Sequence, residues 1–119
     1  MIEMHIDEVV KTIGHVTGKE LNFIGEPIPK SNKVAPFSKA FPFQGVYFFF
    51  DSDLNLIYIG GSKLMRYRIR DHLCSNTNTK WIRNQFAFAG FIKCQDNEVF
   101  EIESQLIKAI KPIGNKQIR

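Results

Sequence analysis

Gln44-Gly45-Val46-Tyr47-Phe48-Phe49-Phe50, then Asp51-Ser52-Asp53-Leu54-Asn55, then Leu56-Ile57-Tyr58-Ile59-Gly60 is the stretch that decides the fold. Aromatic and β-branched residues fill both flanks, and five polar or turn-forming positions separate them, the pattern of a β-hairpin. The two flanks share an odd feature. Each carries a Tyr and a Gly bracketing a β-branched residue, Gly45-Val46-Tyr47 and Tyr58-Ile59-Gly60, with the tyrosines 58 − 47 = 11 positions apart. So dense an apolar run does not by itself say which side chains share a face.

Outward from the hairpin, Ser62 is placed to cap a helix running to about Leu73, with Met65, Ile69 and Leu73 as its core stripe. Arg68 and His72, four apart, share a neighbouring face of that helix. Ser75–Thr79 reads as a polar loop, Lys80–Asn84 as a short helical or irregular piece, and Phe86–Cys94 as a strand interrupted at Gly90. Asp96 is the expected cap of a last helix from Asn97 to Ile110, ended by Pro112. Upstream, Ile2, Ile6, Val9, Ile13 and Val16 recur at helical spacing, which predicts an amphipathic helix over 2–17 stopped by Gly18. Between Gly25 and Pro42, four prolines argue against regular helix and central strand alike, so this segment reads as an extended arm that packs Phe37 and Phe41 on the core.

A chain of 119 residues accommodates one core of ordinary size. The expected organisation is a single domain, in which residues 1–44 form the helix and proline-rich arm and 45–119 the functional part. A hydrophobic content of 44% with 24% charged residues excludes a disordered chain. No apolar run approaches the ~20 residues of a membrane helix. Acidic residues stand near the start, where a signal peptide carries bases, so an intracellular, cytoplasmic protein without membrane association is expected. Cys74 and Cys94 lack partners at zinc or redox spacing and are expected to be reduced thiols.

The formal charge is +4, but it is unevenly spread. From Gly61 to Lys93, Lys63, Arg66, Arg68, Arg70, Lys80, Arg83 and Lys93 stand against Asp71, a local 7 − 1 = +6, so the rest of the chain carries 4 − 6 = −2. Such a segment is either a solvated basic face or the footprint of a phosphate backbone. In the last helix Val99, Ile102, Leu106 and Ile110 form the buried stripe, and Glu103 falls on the same side. A carboxylate there needs a partner. An ion pair with Arg68 or Lys108 and a hard divalent cation fit that need equally.

Two phenols, a guanidinium and a carboxylate are groups that can serve metal-assisted phosphodiester hydrolysis, although a strand tyrosine taken singly is more often core or interface filler. The carboxylate holds a cation, the guanidinium meets the attacked phosphate, and the hydroxyls orient or deprotonate water.

In their order along the chain, Gly45-Val46-Tyr47, Tyr58-Ile59-Gly60, Arg68, Glu103 and Lys111-Pro112 with Asn115 resemble the GIY-YIG nuclease family. The resemblance runs from Gly45 to Asn115. It implies an α+β fold with a three-stranded antiparallel sheet flanked by helices, here with the extra N-terminal helix and arm. It also implies one Mg²⁺ or Mn²⁺ held by Glu103 and an activity that cuts DNA. Tyr47, Tyr58, Arg68, His72 and Glu103 are then the expected catalytic residues, and Lys63, Arg66, Arg70, Lys80, Arg83 and Asn115 the expected nucleic-acid contacts. His72 is similar to a histidine of the homing-endonuclease branch. Gly61 departs from the excision-repair incision subunits, which often carry a lysine there. No separate recognition domain fits in residues 1–44, so targeting is expected from the basic segment, the arm, a partner protein or a homodimer. The alternatives are an RNA-directed nuclease and a binding module of the same fold without activity.

Overall fold

The computed structural model describes residues 4–29, 33–74 and 79–115, apart from the side chains of Lys80 and Trp81. The hairpin forms the middle of the sheet. Strand β2 (Gly45–Phe50) pairs antiparallel with β3 (Leu56–Ser62) on one side and with β4 (Phe88–Lys93) on the other. Asp51 closes the turn, its Oδ1 accepting from the amides of Asp53 and Asn55, both at 2.9 Å, while Leu54 takes φ 65°. The register shifts by one residue after Phe49↔Tyr58, so Phe50 meets Leu56 and Ile57 is the extra residue of a bulge. The bulge is why both Ile57 and Tyr58 belong to the same side of the sheet.

The sheet is antiparallel and flanked by helices, as expected, but among the described residues it has four strands where three were expected. Asn22–Ile24 forms β1 and pairs with β4, giving the order β1-β4-β2-β3. Three residues are too few to leave a periodic signal, so the strand was hidden ahead of the arm. Gly90 does not interrupt β4. It pairs with Phe48 on one side and Phe23 on the other, and a methyl group there would stand 2.9 Å from Leu21 Cδ1, so the glycine makes room for the chain entering β1.

Two apolar layers cover the faces. On one, Val46, Phe48, Phe50, Ile59 and Ile92 pack against Val9 and Ile13 of α1 (Ile6–Thr17) and against Val99, Ile102 and Leu106 of α4 (Val99–Ile110). On the other, Tyr47, Phe49, Ile57, Tyr58 and Ala89 pack against Met65 and Ile69 of α3 (Met65–Cys74), with Ile82, Phe86, Phe37 and Phe41 around them. The N-terminal segment therefore shares the core of the hairpin.

Several boundaries differ from expectation. The first helix begins at Ile6, because His5 serves as its N-cap and also bridges to Asn55; Ile2 and Glu3 lie outside the described residues. Within the arm, Val34–Ser38 forms a short α2 that includes Pro36, tolerated because a first-turn N–H has no helical partner to lose. The last helix begins at Val99, and Asp96 does not cap it. Instead Asp96 pairs with Lys63 at 3.4 Å, while the Glu98 carboxylate turns back to accept from the Gln95 amide. Residues 75–78 of the expected loop lie outside the described residues, and Lys80–Gln85 forms a 3₁₀ segment. Among the described residues no helix is long and apolar enough to cross a membrane.

Candidate active site

Strand alternation sends Gly60 and Gly61 to opposite faces of β3, and each glycine accommodates one functional group. A Cβ on Gly60 would meet the Tyr47 ring, 2.6 Å from Cε2 and closer still to Cζ and the hydroxyl. A Cβ on Gly61 would stand 3.1 Å from Glu103 Cβ and 3.2 Å from its carboxyl carbon. The phenol lies over the strand and the carboxylate under it, one residue apart. They meet because β3 is the edge of the sheet, where, among the described residues, no further strand separates the two faces.

The open edge is organised by side chains. Glu103 Oε2 accepts from the Gly61 amide at 2.8 Å. Two residues earlier, Asn115 imitates a neighbouring strand: its Oδ1 accepts from the Ile59 amide at 2.8 Å and its Nδ2 donates to the Ile59 carbonyl at 2.7 Å. Gly114 lets this turn close on the Ile57 carbonyl, where any side chain would collide. Asn115, expected to touch nucleic acid, has its amide committed to β3.

On the α3 side Tyr47 is fully buried and its hydroxyl is 2.7 Å from His72 Nε2. His72 is also fully buried, and its Nδ1 is 2.6 Å from Thr79 Oγ1, itself buried. Tyr58 packs its ring 5.0 Å from the imidazole and 6.2 Å from the Tyr47 ring. Thr79 was not singled out in the sequence, where it is one more residue of a polar loop; only the fold brings it beneath His72.

Electrostatics tie the five groups together. Burial raises the Tyr47 hydroxyl well above the usual phenol range, the Tyr58 hydroxyl adds to this, and the Arg68 guanidinium opposes it through charge and a hydrogen bond. Tyr58 is raised by burial and is likewise pulled down by Arg68 and up by Glu103. Burial raises the Glu103 carboxyl too, against the Gly61 N–H and the Arg68 charge. Burial, then Arg68, pushes His72 down to about 3, so its imidazole is neutral. Among the described residues neither Arg68 nor Glu103 belongs to an ion pair, so the Glu103–Arg68 and Glu103–Lys108 bridges weighed in the sequence do not form.

The remaining basic residues are dispersed. Lys63 follows β3 and is exposed beside Asp96. Arg66 donates from Nε to the Phe41 carbonyl at 2.7 Å, and Arg70 extends over the Tyr67 ring. Arg83 is half-buried in a cleft with Ile28, Leu73 and Phe86. The side chain of Lys80 lies outside the described residues.

Among the described residues no group of three or more His, Cys, Asp or Glu side chains is disposed to share a metal ion. A lone carboxylate is nonetheless compatible with a hard cation that keeps most of its waters and takes its other ligands from phosphate.

Comparison with known proteins agrees with this architecture. The GIY-YIG catalytic domain family matches residues 43–117. The magnesium-bound GIY-YIG N-terminal endonuclease domain of UvrC from Thermotoga maritima superposes with a TM-score of 0.56 at 27% identity, over 71% of this chain and 98% of that one. A point mutant of the same domain, with tyrosine replaced by phenylalanine and its catalytic divalent cation bound, gives 0.56 and 27% over 71% and 97%. UvrABC system protein C of Bartonella quintana is 29% identical over 91 residues, 72% of this chain but 13% of that protein, so the chain spans about an eighth of that relative.

Proposed function

Because the chain belongs to the GIY-YIG catalytic domain family, and is thus a nuclease domain, we propose that it hydrolyses phosphodiester bonds in DNA with the help of one Mg²⁺ or Mn²⁺. The observation that carries this reading is the meeting of Tyr47, Tyr58, Arg68, His72 and Glu103 at the open edge of β3. Glu103 would hold the cation. Its raised affinity for a proton reflects a carboxylate taken from water without a full counter-charge, the deficit that a cation corrects. When bound, the ion supplies positive charge to the attacked phosphate and to the leaving oxygen.

The protein groups divide the remaining work. Arg68, not neutralised by a carboxylate among the described residues, presents a planar fork to the phosphoryl oxygens as charge builds on them. Tyr47 remains a phenol at neutral pH, and its hydrogen bond to His72 Nε2 fixes its hydroxyl so that the oxygen lone pairs orient the attacking water. The His72 tautomer with its proton on Nδ1, toward Thr79, leaves Nε2 free to accept the hydrogen bond of the Tyr47 hydroxyl. Tyr58 orients the water from the neighbouring position.

The structures that resemble this chain carry a catalytic divalent cation, which supports the metal requirement. Those relatives are UvrC endonuclease domains, so placement nearer the homing-endonuclease branch rests on His72 and Gly61 alone. At position 61 a side chain would press on Glu103 and Val99, which accounts for glycine there. Incubation of the purified protein with supercoiled plasmid, single-stranded DNA and RNA, with Mg²⁺, with Mn²⁺ and with EDTA, tests the proposal. Nicking of DNA that EDTA abolishes is expected; cleavage indifferent to EDTA, or of RNA alone, would overturn it.

A further inference from the structure

The surface of α3 away from the sheet carries an arrangement that the cleavage chemistry does not use. Phe43 is 66% exposed, Tyr67 59% and Leu64 58%. The Arg66 guanidinium lies 4.9 Å from the centre of the Phe43 ring, and that of Arg70 lies 5.5 Å from the Tyr67 ring. Phe43 is fixed to the start of the helix because its carbonyl accepts from the Met65 amide at 2.7 Å, and Arg66 is fixed by Phe41. Two exposed aromatic side chains, Tyr67 on the helix and Phe43 held against its first turn, thus each stand beside an arginine, with exposed Leu64 at the start of the same helix. Isolated exposed apolar residues are ordinary; a rigid aromatic and cationic cluster is not.

We propose that Phe43 and Tyr67 stack the bases of an unpaired nucleic-acid strand whose phosphates are held by Arg66 and Arg70, so that the substrate carries single-stranded nucleotides beside the cleaved bond. This deepens the nuclease reading, on which it rests. Aromatic faces bind bases of any sequence, and a duplex hides those faces in its own stack, so such a strip discriminates for single strands. Charge favours the same occupant, since each of the two rings has an arginine beside it, Arg66 at Phe43 and Arg70 at Tyr67. The path to the site is short. At about 100° per residue Tyr67 stands a quarter-turn from Arg68, with Leu64 between them at the first turn of the helix. Asp71, exposed one turn after Tyr67, bounds the path on its C-terminal side. Arg66 gives one of its five N–H donors to Phe41, and the guanidinium keeps its charge for phosphate.

Fluorescence anisotropy of a labelled single strand and of the matching duplex, in EDTA so that neither is cut, tests the strip. Phe43→Ala and Tyr67→Ala should each weaken single-strand binding by about fivefold to a hundredfold and leave duplex binding unchanged, whereas Phe43→Trp and Tyr67→Phe, which keep a ring, should retain it. Equal losses on both ligands, or none on the single strand, overturn the proposal. So does a change in self-association by sedimentation with oligonucleotide binding intact, which would assign the strip to a second copy of the chain. Plasmid cleavage by the unaltered protein is measured separately. Cleavage with unchanged single-strand binding in the alanine variants removes the strip and leaves the nuclease reading. Selective loss of single-strand binding without any cleavage does the reverse.

Discussion

Gly60→Ala is the smallest change that separates the geometry of the site from its composition. A single methyl group at that position would sit within 2.6 Å of Tyr47 Cε2, whereas ordinary contact begins near 3.4 Å, so the ring must retreat by at least 3.4 − 2.6 = 0.8 Å. It cannot do so freely. The phenol is buried, its hydroxyl is bound to His72 at 2.7 Å, and its ring packs 5.5 Å from Phe49 and 6.2 Å from Tyr58. A retreat of that size stretches or breaks the hydrogen bond and misaligns the hydroxyl with Arg68. Displacements near 1 Å at reacting groups cost about 10²-fold in rate, and overpacking of this kind costs about 1–3 kcal/mol of stability. Plasmid nicking in Mg²⁺ should therefore fall by about 10²-fold in a variant that still folds by circular dichroism. Gly61→Ala is the control, because its methyl group meets Glu103 and Val99 at 3.1–3.2 Å and requires shifts of only a few tenths of an ångström. It should lose far less activity. If Gly60→Ala kept full activity, the placement of the Tyr47 phenol over β3 would be wrong.

Glu103→Gln should fold normally, since the amide oxygen can still accept from Gly61, but lose divalent-ion binding and cleavage; unchanged metal affinity by calorimetry would refute the ligand assignment. Arg68→Ala should lower turnover by ~10²–10³ with little effect on DNA affinity, and a variant that lost affinity instead would make Arg68 a binding residue. Tyr47→Phe and Tyr58→Phe should each keep affinity and lose most cleavage, the double variant being little worse than the poorer single; additive losses would show two separate steps. Stability should fall with pH below about 6.5, because the unfolded chain protonates His72 there while the folded one does so only near 3, a slope of up to about 1.4 kcal/mol per pH unit. The raised Glu103 carboxyl acts oppositely nearer its own range, so the measurement belongs in the upper part of that window, by denaturant melts of wild type and His72→Gln. An identical slope in the variant would refute the neutral buried imidazole.

The hairpin and the two long flanking helices were legible because each depends on a local pattern, whereas Tyr47, Tyr58, Arg68, His72 and Glu103 were singled out together by their order along the chain, the resemblance to the GIY-YIG family. Glu103 could be placed on the buried side of α4 from periodicity alone, and Arg68 with His72 on one side of α3. What was not legible depends on the approach of distant segments. Strand β1 is too short to declare itself, and Thr79 gains a role only because the 3₁₀ segment returns beneath α3. The partner of Glu103 was also out of reach. Charge suggested a cation, but the group it meets is a backbone N–H, which no side-chain inventory contains. The same holds for Asn115, whose amide replaces a missing strand.

Why the tyrosine and glycine triplet of β3 runs on into a second glycine follows from the position of that strand. A central strand presents alternate side chains to two separated layers, so groups above and below it cannot act on one substrate. At an edge the layers are joined by solvent, and two successive residues without side chains let a phenol from β2 and a carboxylate from α4 close on the same few ångströms of backbone. Edge strands ordinarily invite pairing with another chain. Here Asn115 and Glu103 occupy the free groups of Ile59 and Gly61, so the edge is blocked and organised by the same contacts. The arrangement also explains why, among the described residues, the carboxylate lacks an arginine partner despite the basic segment nearby. An ion pair between Glu103 and Arg68 would satisfy both charges and leave neither for the phosphate and its cation; the backbone N–H of Gly61 steadies the carboxylate while adding only a partial positive charge.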